Sequence, residues 1–494
     1  MDDTESIAEL QRQLGDGGLT SVELVGRLMQ RIEDIDTSGP RIRSVLASNP
    51  DAAADAERLD AERSAGRVRG PLHGIPVLVK DNIDTIGALP TTAGSTALVT
   101  SAPTTEATVV SRLRAAGTIV LGKTNLSEWA NIRSNQSASG WSAVGGLTVN
   151  PHALDRSAGG SSSGSGAAVA AGLSPIALGT ETDGSILCPA ALCGVVGVKP
   201  TVGLTSRAGV VPISHTQDTV GPLARSVRDA ALVLDVIAGP DPRDPMTAGA
   251  PDGGYRDQLD RGAAGLRVGV ARPMTWGRHP ALDALAEAAT AALASAGAVI
   301  VGDVELDAPE TLGDDEFTVL LHEFKAEVEG YLATRGGHCP TTLAAVIEHN
   351  TEDPRELAWF GQDMFERAAT TQGLGAPEYL EALARCRRAG REDGIDRVLA
   401  EHRLDALIAP AYPPAWKIDL VNGDPGGLYS MSQLPAVAGY PAVTVPIGLV
   451  HGLPVGLALF GTAWSEAVLL RLALAVEDGL GPGPAPQFRA PAAG

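Results

Sequence analysis

The sequence predicts an α/β fold in which helices cover both faces of a large mixed, mostly parallel β-sheet. Short apolar segments alternate with helical segments between about 70 and 240, as in sheets whose strands are buried on both faces. Strand-like segments resume after 401, beyond a mostly helical stretch. With 494 residues, 44% of them hydrophobic and 20% charged, the chain can bury a large core.

The N-terminal segment, residues 1–69, is predicted to be helical. Thr20 and Glu23 form a capping box, which predicts the start of the second of two helices within 5–36. The apolar residues that then recur at helical spacing are Leu24, Val25, Leu28, Met29 and Ile32. A third helix, rich in Ala, Asp, Glu and Arg, is expected at about 51–65.

The segment 70–240 is expected to form the core of the sheet. Its first strand is short and apolar, runs from Pro76 to Val79 and ends at Lys80. Further strands are predicted at 118–125, 174–180 and 194–201, and helices at 107–116, 165–172, 186–192 and 226–238.

The second half of the chain is predicted to complete the same domain, 1–494. A loop at 241–256 and a strand at 265–273 precede a mostly helical insertion, 280–400, which has no recognisable motif and is a candidate substrate-specificity region. In 401–494, the segment 404–410 is strand-like, and two apolar strands follow on either side of a turn at His451 and Gly452.

Composition excludes several classes of function. A net charge of −21 argues against nucleic acid as a partner. There is no uninterrupted apolar run of membrane-spanning length, and the acidic, amphipathic N-terminus does not resemble a signal peptide, so a cytoplasmic protein without a membrane partner is expected. Four cysteines without a C-x-x-C spacing predict neither a disulfide framework nor a zinc site, and Cys188 and Cys193 are expected to be buried.

The most informative stretch is 157–207, where a Gly/Ser-rich loop runs into an alanine-rich helix and an apolar strand. A flexible linker would not continue so directly into regular structure. A phosphate-binding loop would need a Lys after its glycines, and none follows. Residues 160–164 match the G-x-S-x-G nucleophile elbow with Ser162 as nucleophile, but no strand precedes them as an elbow requires.

Ser185 offers a different nucleophile, because it lies where a predicted strand passes into a predicted helix. The unpaired N–H groups and the positive dipole end of a helix N-terminus suit an oxyanion. The alternative is that Ser185 only caps the helix, as serines often do.

Several segments together resemble the amidase signature family. They are Gly-Gly-Ser-Ser at 159–162, Gly-Ser-Ile at 184–186 and the upstream G-I-P-V-x-V-K at 74–80. Further similar segments occur in the same order at 123–129, 206–212, 217–231 and in the two C-terminal strands. The resemblance implies the amidase signature fold.

The resemblance also implies a catalytic triad. Ser185 would be the nucleophile, Ser161, in a cis peptide conformation, the proton relay, and Lys80 the base. The oxyanion hole would consist of backbone N–H groups of Thr182, Asp183, Gly184 and Ser185. No metal or organic cofactor is implied.

Lys80 could act as a base only when neutral, although the ordinary pKa of lysine is about 10.4. Burial at the end of an apolar strand would lower that pKa to about 7–8. The alternative is a partly exposed Lys80 paired with Asp81.

The sequence departs from the common family motif at Glu181, Asp183 and Leu187. Asp183 can still present its N–H, while its carboxylate should disfavour anionic groups nearby. The segment 180–185, with 125–131 and 137–142, resembles the peptide amidase branch, which removes ammonia from C-terminally amidated peptides. The candidate substrate-binding residues in these and neighbouring segments are Trp141, Asn125, Asn131 and Gln217.

Four functions therefore remain open. The first is hydrolysis of a small-molecule or peptide amide, and the second is an aryl acylamidase or general amidase on the same fold. The third is an amidotransferase A-type subunit, which would need a partner chain; Glu181 and Leu187 depart from the motif usual there. The fourth is a catalytically silent binding protein. The sequence does not predict an oligomeric state.

Overall fold

One eleven-stranded β-sheet organises the protein in the computed structural model, which describes residues 5–251, 253–306 and 308–490. Its strands are β1 (Val45–Ser48), β2 (Pro76–Lys80), β3 (Ile119–Thr124), β4 (Ile176–Glu181), β5 (Val196–Lys199), β6 (Thr219–Ala224), β7 (Arg267–Val270), β8 (Val299–Asp303), β9 (Ala406–Pro410), β10 (Ala442–Val450) and β11 (Leu453–Phe460). Their order across the sheet is β1-β3-β2-β4-β6-β5-β10-β11-β9-β7-β8.

The sheet is mixed, which confirms the predicted fold class. Parallel pairing is confined to two groups, β3-β2-β4 and β9-β7-β8. The other neighbouring pairs of this sheet are antiparallel, so the parallel share is smaller than the sequence predicts. One reason is the short turn at His451 and Gly452, because a connection that short can only join antiparallel strands.

Helices flank the sheet throughout the chain. They are α1 (Ile7–Asp16), α2 (Ser21–Arg31), α3 (Ala52–Ser64), α4 (Thr108–Ala115), α5 (Ser163–Ala170), α6 (Leu187–Cys193), α7 (Val227–Ile237), α8 (Tyr255–Gln258), α9 (Arg272–Thr275), α10 (Pro280–Ser295), α11 (Leu312–Leu332), α12 (Leu343–Glu352), α13 (Asp363–Ala369), α14 (Pro377–Gly390), α15 (Asp396–His402), α16 (Gln433–Ala438) and α17 (Glu466–Leu480). The capping box of Thr20 and Glu23 is present, as predicted.

Both faces of the sheet are covered, as the sequence predicts. Alternate residues of β9 belong to two different hydrophobic clusters, because successive side chains of a strand point to opposite faces. Ala406 and Ile408 pack in the cluster that contains side chains of α10 and α17. Leu407 and Ala409 pack in the cluster that contains side chains of α6 and α14.

Several elements escape the sequence prediction, among them strands β1, β6 and β8 and helix α17. Strands β1 and β8 are short and partly exposed, so neither shows the apolar run that marks the other strands. Helix α17 follows the last strand and packs on β10. The predicted helical insertion 280–400 therefore also contributes one edge strand, β8, to the sheet.

The sheet brings four charged or polar strand ends to one edge. Strands β2, β3 and β4 are parallel, and β5 has the same direction because β6 lies antiparallel between β4 and β5. Lys80, Thr124, Glu181 and Lys199 are the last residues of these strands. In α/β sheets the carboxyl ends of such strands are the usual place for a ligand.

Candidate active site

Lys80 is fully buried at the end of β2. Its Nζ lies 2.7 Å from Ser161 Oγ, 2.8 Å from Thr180 Oγ1 and 3.3 Å from the Thr180 carbonyl oxygen. Asp81, the next residue, is not its partner: its carboxylate lies 3.7 Å from Lys123 Nζ and accepts hydrogen bonds from Thr92. The interpretation of Lys80 as an exposed lysine paired with Asp81 is therefore wrong.

The surroundings of Lys80 favour its neutral form. Burial lowers the pKa of Lys80 to about 7, while the negative charges of Asp218 and Glu181 act in the opposite direction. Desolvation has the larger effect here because an ammonium group away from water loses its hydration. A substantial fraction of Lys80 can therefore carry a free lone pair near neutral pH.

Ser161 lies in the loop that enters α5. Its peptide bond with Gly160 is cis, as the family resemblance implies. The Ser161 side chain is fully buried, and the main-chain carbonyl oxygen of Ser161 accepts a hydrogen bond of 3.1 Å from the Ser127 N–H. Gly160 has no room for a side chain, because a Cβ there would lie 2.9 Å from Ser139 Oγ. The loop is thus fixed with the Ser161 hydroxyl against Lys80.

Ser162 has a different environment from its neighbour. Its Oγ donates to the Thr180 carbonyl oxygen at 3.1 Å and accepts from the Thr180 N–H at 3.2 Å. A fully buried hydroxyl with both bonds to the main chain of β4 has a structural role. This geometry disfavours the nucleophile-elbow interpretation of residues 160–164.

Ser185 lies in the loop between β4 and α6 and is 7% exposed. Its carbonyl oxygen accepts a hydrogen bond of 3.0 Å from the Ser162 N–H, which joins the two serine-bearing loops. The preceding Gly184 has a φ of 76°, a left-handed conformation that favours glycine. Tyr412 and Ser432 pack where a side chain of residue 184 would be.

The helix after Ser185 lies within one residue of the prediction, but its first N–H groups do not match it. The helix spans Leu187–Cys193 where 186–192 is predicted. The N–H groups of Ile186 and Leu187 donate to the Glu181 carboxylate at 2.6 and 2.9 Å. The expectation that the first N–H groups of this helix are unpaired is therefore wrong for these two. Glu181 acts instead as an internal cap that folds the loop back onto β4.

Side chains from outside the motif hold residues 182 and 183. Thr182 Oγ1 donates to Asp218 at 2.6 Å, and Gln217 Nε2 lies 3.4 Å from the Thr182 carbonyl oxygen. Asp183 hydrogen-bonds Ser432, and burial raises its pKa. The loop is therefore supported at each of these residues.

Glu316, on α11, is a site residue that the sequence did not indicate. It accepts hydrogen bonds from Gln217 at 2.7 Å and from Gln433 at 2.9 Å. Burial, and next the charge of Asp183, raise the pKa of Glu316 to about 8. It lies in a helix without a local motif, so only the three-dimensional contacts identify it.

The four candidate substrate-binding residues occupy different positions. Gln217 contacts the Ser185 loop, as just described. Trp141 packs edge-on against Phe360, with ring centroids 5.1 Å apart. Asn125 is buried with its side chain bonded to the loop around 140–148, and Asn131 accepts a hydrogen bond from Ser137 at 2.7 Å. Their roles in substrate binding stay predictions.

The cysteines and potential metal ligands of the described residues show no second centre. Cys188 and Cys193 are buried free thiols, as predicted, and burial raises their pKa values. Within the described ranges, no group of three or more His, Cys, Asp or Glu side chains is placed to hold a metal ion. Nor does any described helix have the length and apolar character needed to cross a membrane.

Comparison with known proteins agrees with this geometry. Residues 23–470 match the Amidase family. The chain belongs to the amidase family. This amidase superposes on the crystal structure of the native peptide amidase from Stenotrophomonas maltophilia with a TM-score of 0.92 and 48% identity, over 98% of each chain.

Other relatives also span nearly the whole amidase chain. A probable amidase of Arabidopsis thaliana is 38% identical over 96% of this chain and 89% of its own. The A-type chain of the glutamyl-tRNA(Gln) amidotransferase of Symbiobacterium thermophilum is 37% identical over 96% of both chains. The protein is thus an amide-hydrolysing enzyme on the amidase signature fold.

Proposed function

We propose that this amidase cleaves carboxamides with Ser185 as nucleophile, Ser161 as proton relay and Lys80 as base. The observation that carries the proposal is the 2.7 Å contact between Lys80 Nζ and Ser161 Oγ, made by a lysine whose pKa is lowered to about 7. A serine hydroxyl becomes a good nucleophile only when a base removes its proton. Lys80, acting through Ser161, supplies that base.

The reaction proceeds through an acyl-enzyme. Ser185 Oγ attacks the amide carbon, its proton passes to Ser161 Oγ, and the proton of Ser161 passes to Lys80. Return of a proton along the same route protonates the leaving nitrogen, and the C–N bond breaks to release ammonia. Water then attacks the acyl-enzyme, the same groups take up its proton, and the acid leaves with Ser185 restored.

The oxyanion is assigned to main-chain N–H groups of the Ser185 loop. Glu181 occupies the N–H groups of Ile186 and Leu187, so the donors assigned to the oxyanion are those of residues 182–185. One well-placed donor of this kind contributes about 3 kcal/mol to the transition state. These donors are preorganised because Asp218 and Gln217 contact Thr182 and Ser432 contacts Asp183.

We propose C-terminally amidated peptides as the substrate class. Support comes from 48% identity to a peptide amidase over nearly the full chain. A carboxylate at Asp183 in this loop also disfavours a second carboxylate nearby, so an uncharged terminal amide is accepted more readily than the acid it yields. The proposed partner is therefore a small-molecule or peptide amide.

Substrate assays with the purified chain alone test the reaction. An amidated dipeptide, an anilide and glutamine are incubated separately, and ammonia or aniline is measured. Ammonia from the dipeptide amide is expected. Dominant release of aniline would indicate an aryl acylamidase instead, and no turnover of any of the three would favour a partner-dependent or silent protein.

Serine substitutions test the assignment of the nucleophile. Ser185→Ala should abolish turnover without changing the melting temperature. Ser174→Ala is the matched control, because Ser174 is also a buried serine but bonds the Ile176 carbonyl oxygen at the opposite end of β4. Loss of activity in Ser162→Ala together with retention in Ser185→Ala would restore the elbow interpretation.

A further inference from the structure

A second group of contacts joins Lys80 to Thr180 and, through Thr180, to Asn82. Thr180 Oγ1 is 2.8 Å from Lys80 Nζ and 2.9 Å from Asn82 Nδ2. Asn82 is 2% exposed, and its Oδ1 is buried without a hydrogen-bond partner in the protein. A buried amide oxygen without a partner costs free energy, so it points to a missing donor.

The hydrogens around neutral Lys80 can be counted. A neutral amine has two N–H groups and one lone pair, and Lys80 has three oxygen neighbours. The Thr180 carbonyl can only accept. If the Thr180 hydroxyl donated to the lone pair of Lys80, Ser161 could not do so. The base functions only if Thr180 Oγ1 accepts from Lys80 instead.

In that arrangement the hydroxyl hydrogen of Thr180 needs an acceptor elsewhere. Thr180 Oγ1 already accepts from Lys80 and Asn82, and a hydroxyl accepts at most two hydrogen bonds and donates one. A small cavity of about 10 Å³ lies beside it, lined by Asn82, Thr180, Thr182, Asp218 and Arg207 among others. Burial raises the pKa of Asp218, and the charge of Arg207 acts against that rise. About that volume is needed for a single buried water, and Asn82, Thr180 and Asp218 offer it three polar partners, within the two to four that such a water needs.

We propose that this cavity holds one buried water, and that Asn82, acting with the water through Thr180, is a positioning residue that reserves the lone pair of Lys80 for Ser161. The water accepts from the Thr180 hydroxyl and donates to Asn82 Oδ1 and to the Asp218 carboxylate. Asp218 Oδ1 has capacity for it, because it accepts one hydrogen bond, from Thr182. The inference rests on the proposed function of Lys80.

The same arrangement suits both charge states of the base. When Lys80 takes the proton of Ser161, its third N–H points to Ser161 Oγ, and the bonds to Thr180 stay as they were. The water and Asn82 therefore need not reorganise during proton transfer. Such fixed surroundings are what a proton relay requires.

Asn82→Leu tests the positioning role. Without the amide, the Thr180 hydroxyl can turn to the lone pair of Lys80, which stabilises the neutral amine and competes with Ser161. We expect kcat to fall roughly 10-fold, as for loss of one buried hydrogen bond, with KM nearly unchanged. The acid limb of the pH profile of kcat/KM reports the ionisation of Lys80, on which the charges of Asp218 and Glu181 also act. This limb should move to lower pH in Asn82→Leu.

Asn82→Asp provides the opposite test, because it adds a negative charge near Lys80. It should move the acid limb to higher pH, whereas a merely structural effect would not shift the two variants in opposite directions. Asn350→Leu is the matched control: Asn350 is also a buried asparagine with an unpartnered Oδ1, but its Nδ2 bonds Gln362 in the helical region of the chain. It should leave kcat and the pH profile unchanged.

A high-resolution crystal structure of the wild-type enzyme completes the test. Density for a water bonded to Asn82, Thr180 and Asp218, absent in Asn82→Leu, is expected. Wild-type density without that water, or Asn82→Leu kinetics equal to wild type, would overturn the inference. If Ser185→Ala is inactive while Asn82→Leu behaves as wild type, this inference alone fails; activity in Ser185→Ala would instead refute the proposed function.

Discussion

At the scale of single residues, the active site depends on groups whose charge is set by burial. Lys80 is the clearest case, since desolvation brings its pKa to about 7 against the charges of Asp218 and Glu181. Asp218 itself has a pKa raised to about 6 by burial, so it is largely ionised when Lys80 is neutral. The two residues together determine the pH at which the base becomes available.

The pH dependence of Asp218→Asn follows from this pairing. Activity requires neutral Lys80, so kcat/KM should fall as the pH drops through about 7. Removing the negative charge of Asp218 destabilises protonated Lys80, lowers its pKa and moves this acid limb to lower pH, by roughly one unit. The measurement is the pH profile of kcat/KM on an amidated dipeptide.

Asp235→Asn is the control for that experiment. Asp235 also accepts main-chain hydrogen bonds, from Gly254 and Tyr255, but it does not contribute to the pKa of Lys80. Its pH profile should match wild type. A shift of equal size in both variants would contradict the electrostatic explanation.

Gly184→Ala tests the conformation of the oxyanion loop. A φ of 76° disfavours any side chain, at a cost of about 1–2 kcal/mol, and the hydroxyl of Tyr412 occupies the space for Cβ. We expect kcat to fall by about 100-fold, because displacing catalytic groups by about 1 Å has an effect of that size. Gly249→Ala, at a glycine with open space around it, should have wild-type activity.

At the scale of structural elements, a helix far away in sequence supports the nucleophile loop. Helix α11 supplies Glu316, which binds Gln217 and Gln433. The strand ends supply the base and its partners, since β2 ends at Lys80 and β4 carries Thr180. Elements of the predicted insertion and of the sheet thus meet at one site.

Substitutions of Glu316 test this support. Its pKa of about 8 means that Glu316 is mostly neutral at pH 7, so Glu316→Gln should preserve kcat/KM there. Glu316→Ala removes both hydrogen bonds and should reduce kcat/KM about 10-fold. Above pH 8 the wild-type Glu316 carboxyl ionises and adds a negative charge near Asp183, whereas the Gln variant stays neutral. The kcat/KM of Glu316→Gln relative to that of wild type should therefore rise. A wild-type value for Glu316→Ala would contradict a positioning role.

How far the sequence predicts these elements depends on local signal. Long apolar strands such as β4 and β11 and the motif residues Lys80, Ser161 and Ser185 are visible in it, because each carries a pattern or a recognisable neighbourhood. Strand β8 is short and half exposed, so its pairing with β7 decides its structure rather than its own residues. The capture of the Ile186 and Leu187 N–H groups by Glu181 depends on how the loop folds, which spacing alone does not give.

At the scale of the whole molecule, one sheet joins the two halves of the chain. Strand β5 pairs with β10, so residues near 197 and near 444 lie side by side. The predicted insertion adds β8 to one edge and several helices to the surface. We therefore expect 1–494 to behave as one domain.

Calorimetry checks that expectation. Unfolding should give a single transition whose van't Hoff enthalpy equals the calorimetric enthalpy, because the β5–β10 pairing cannot open without exposing the centre of the sheet. Two resolved transitions would contradict a single cooperative unit. Chain concentration should be varied in the same experiment to separate unfolding from association.

The adjacency of β2 and β4 has a mechanical consequence. Their register aligns Val79 with Leu178, so Lys80 and Thr180 lie within one residue of register on adjacent strands, and the spacing of those strands, about 4.8 Å, is imposed by the backbone ladder. The relative position of Lys80 and Thr180 is thus set by the pairing of two backbone strands. On gradual warming the catalyst should keep its alignment almost until the ladder itself gives way, so turnover and secondary structure should disappear within the same few degrees.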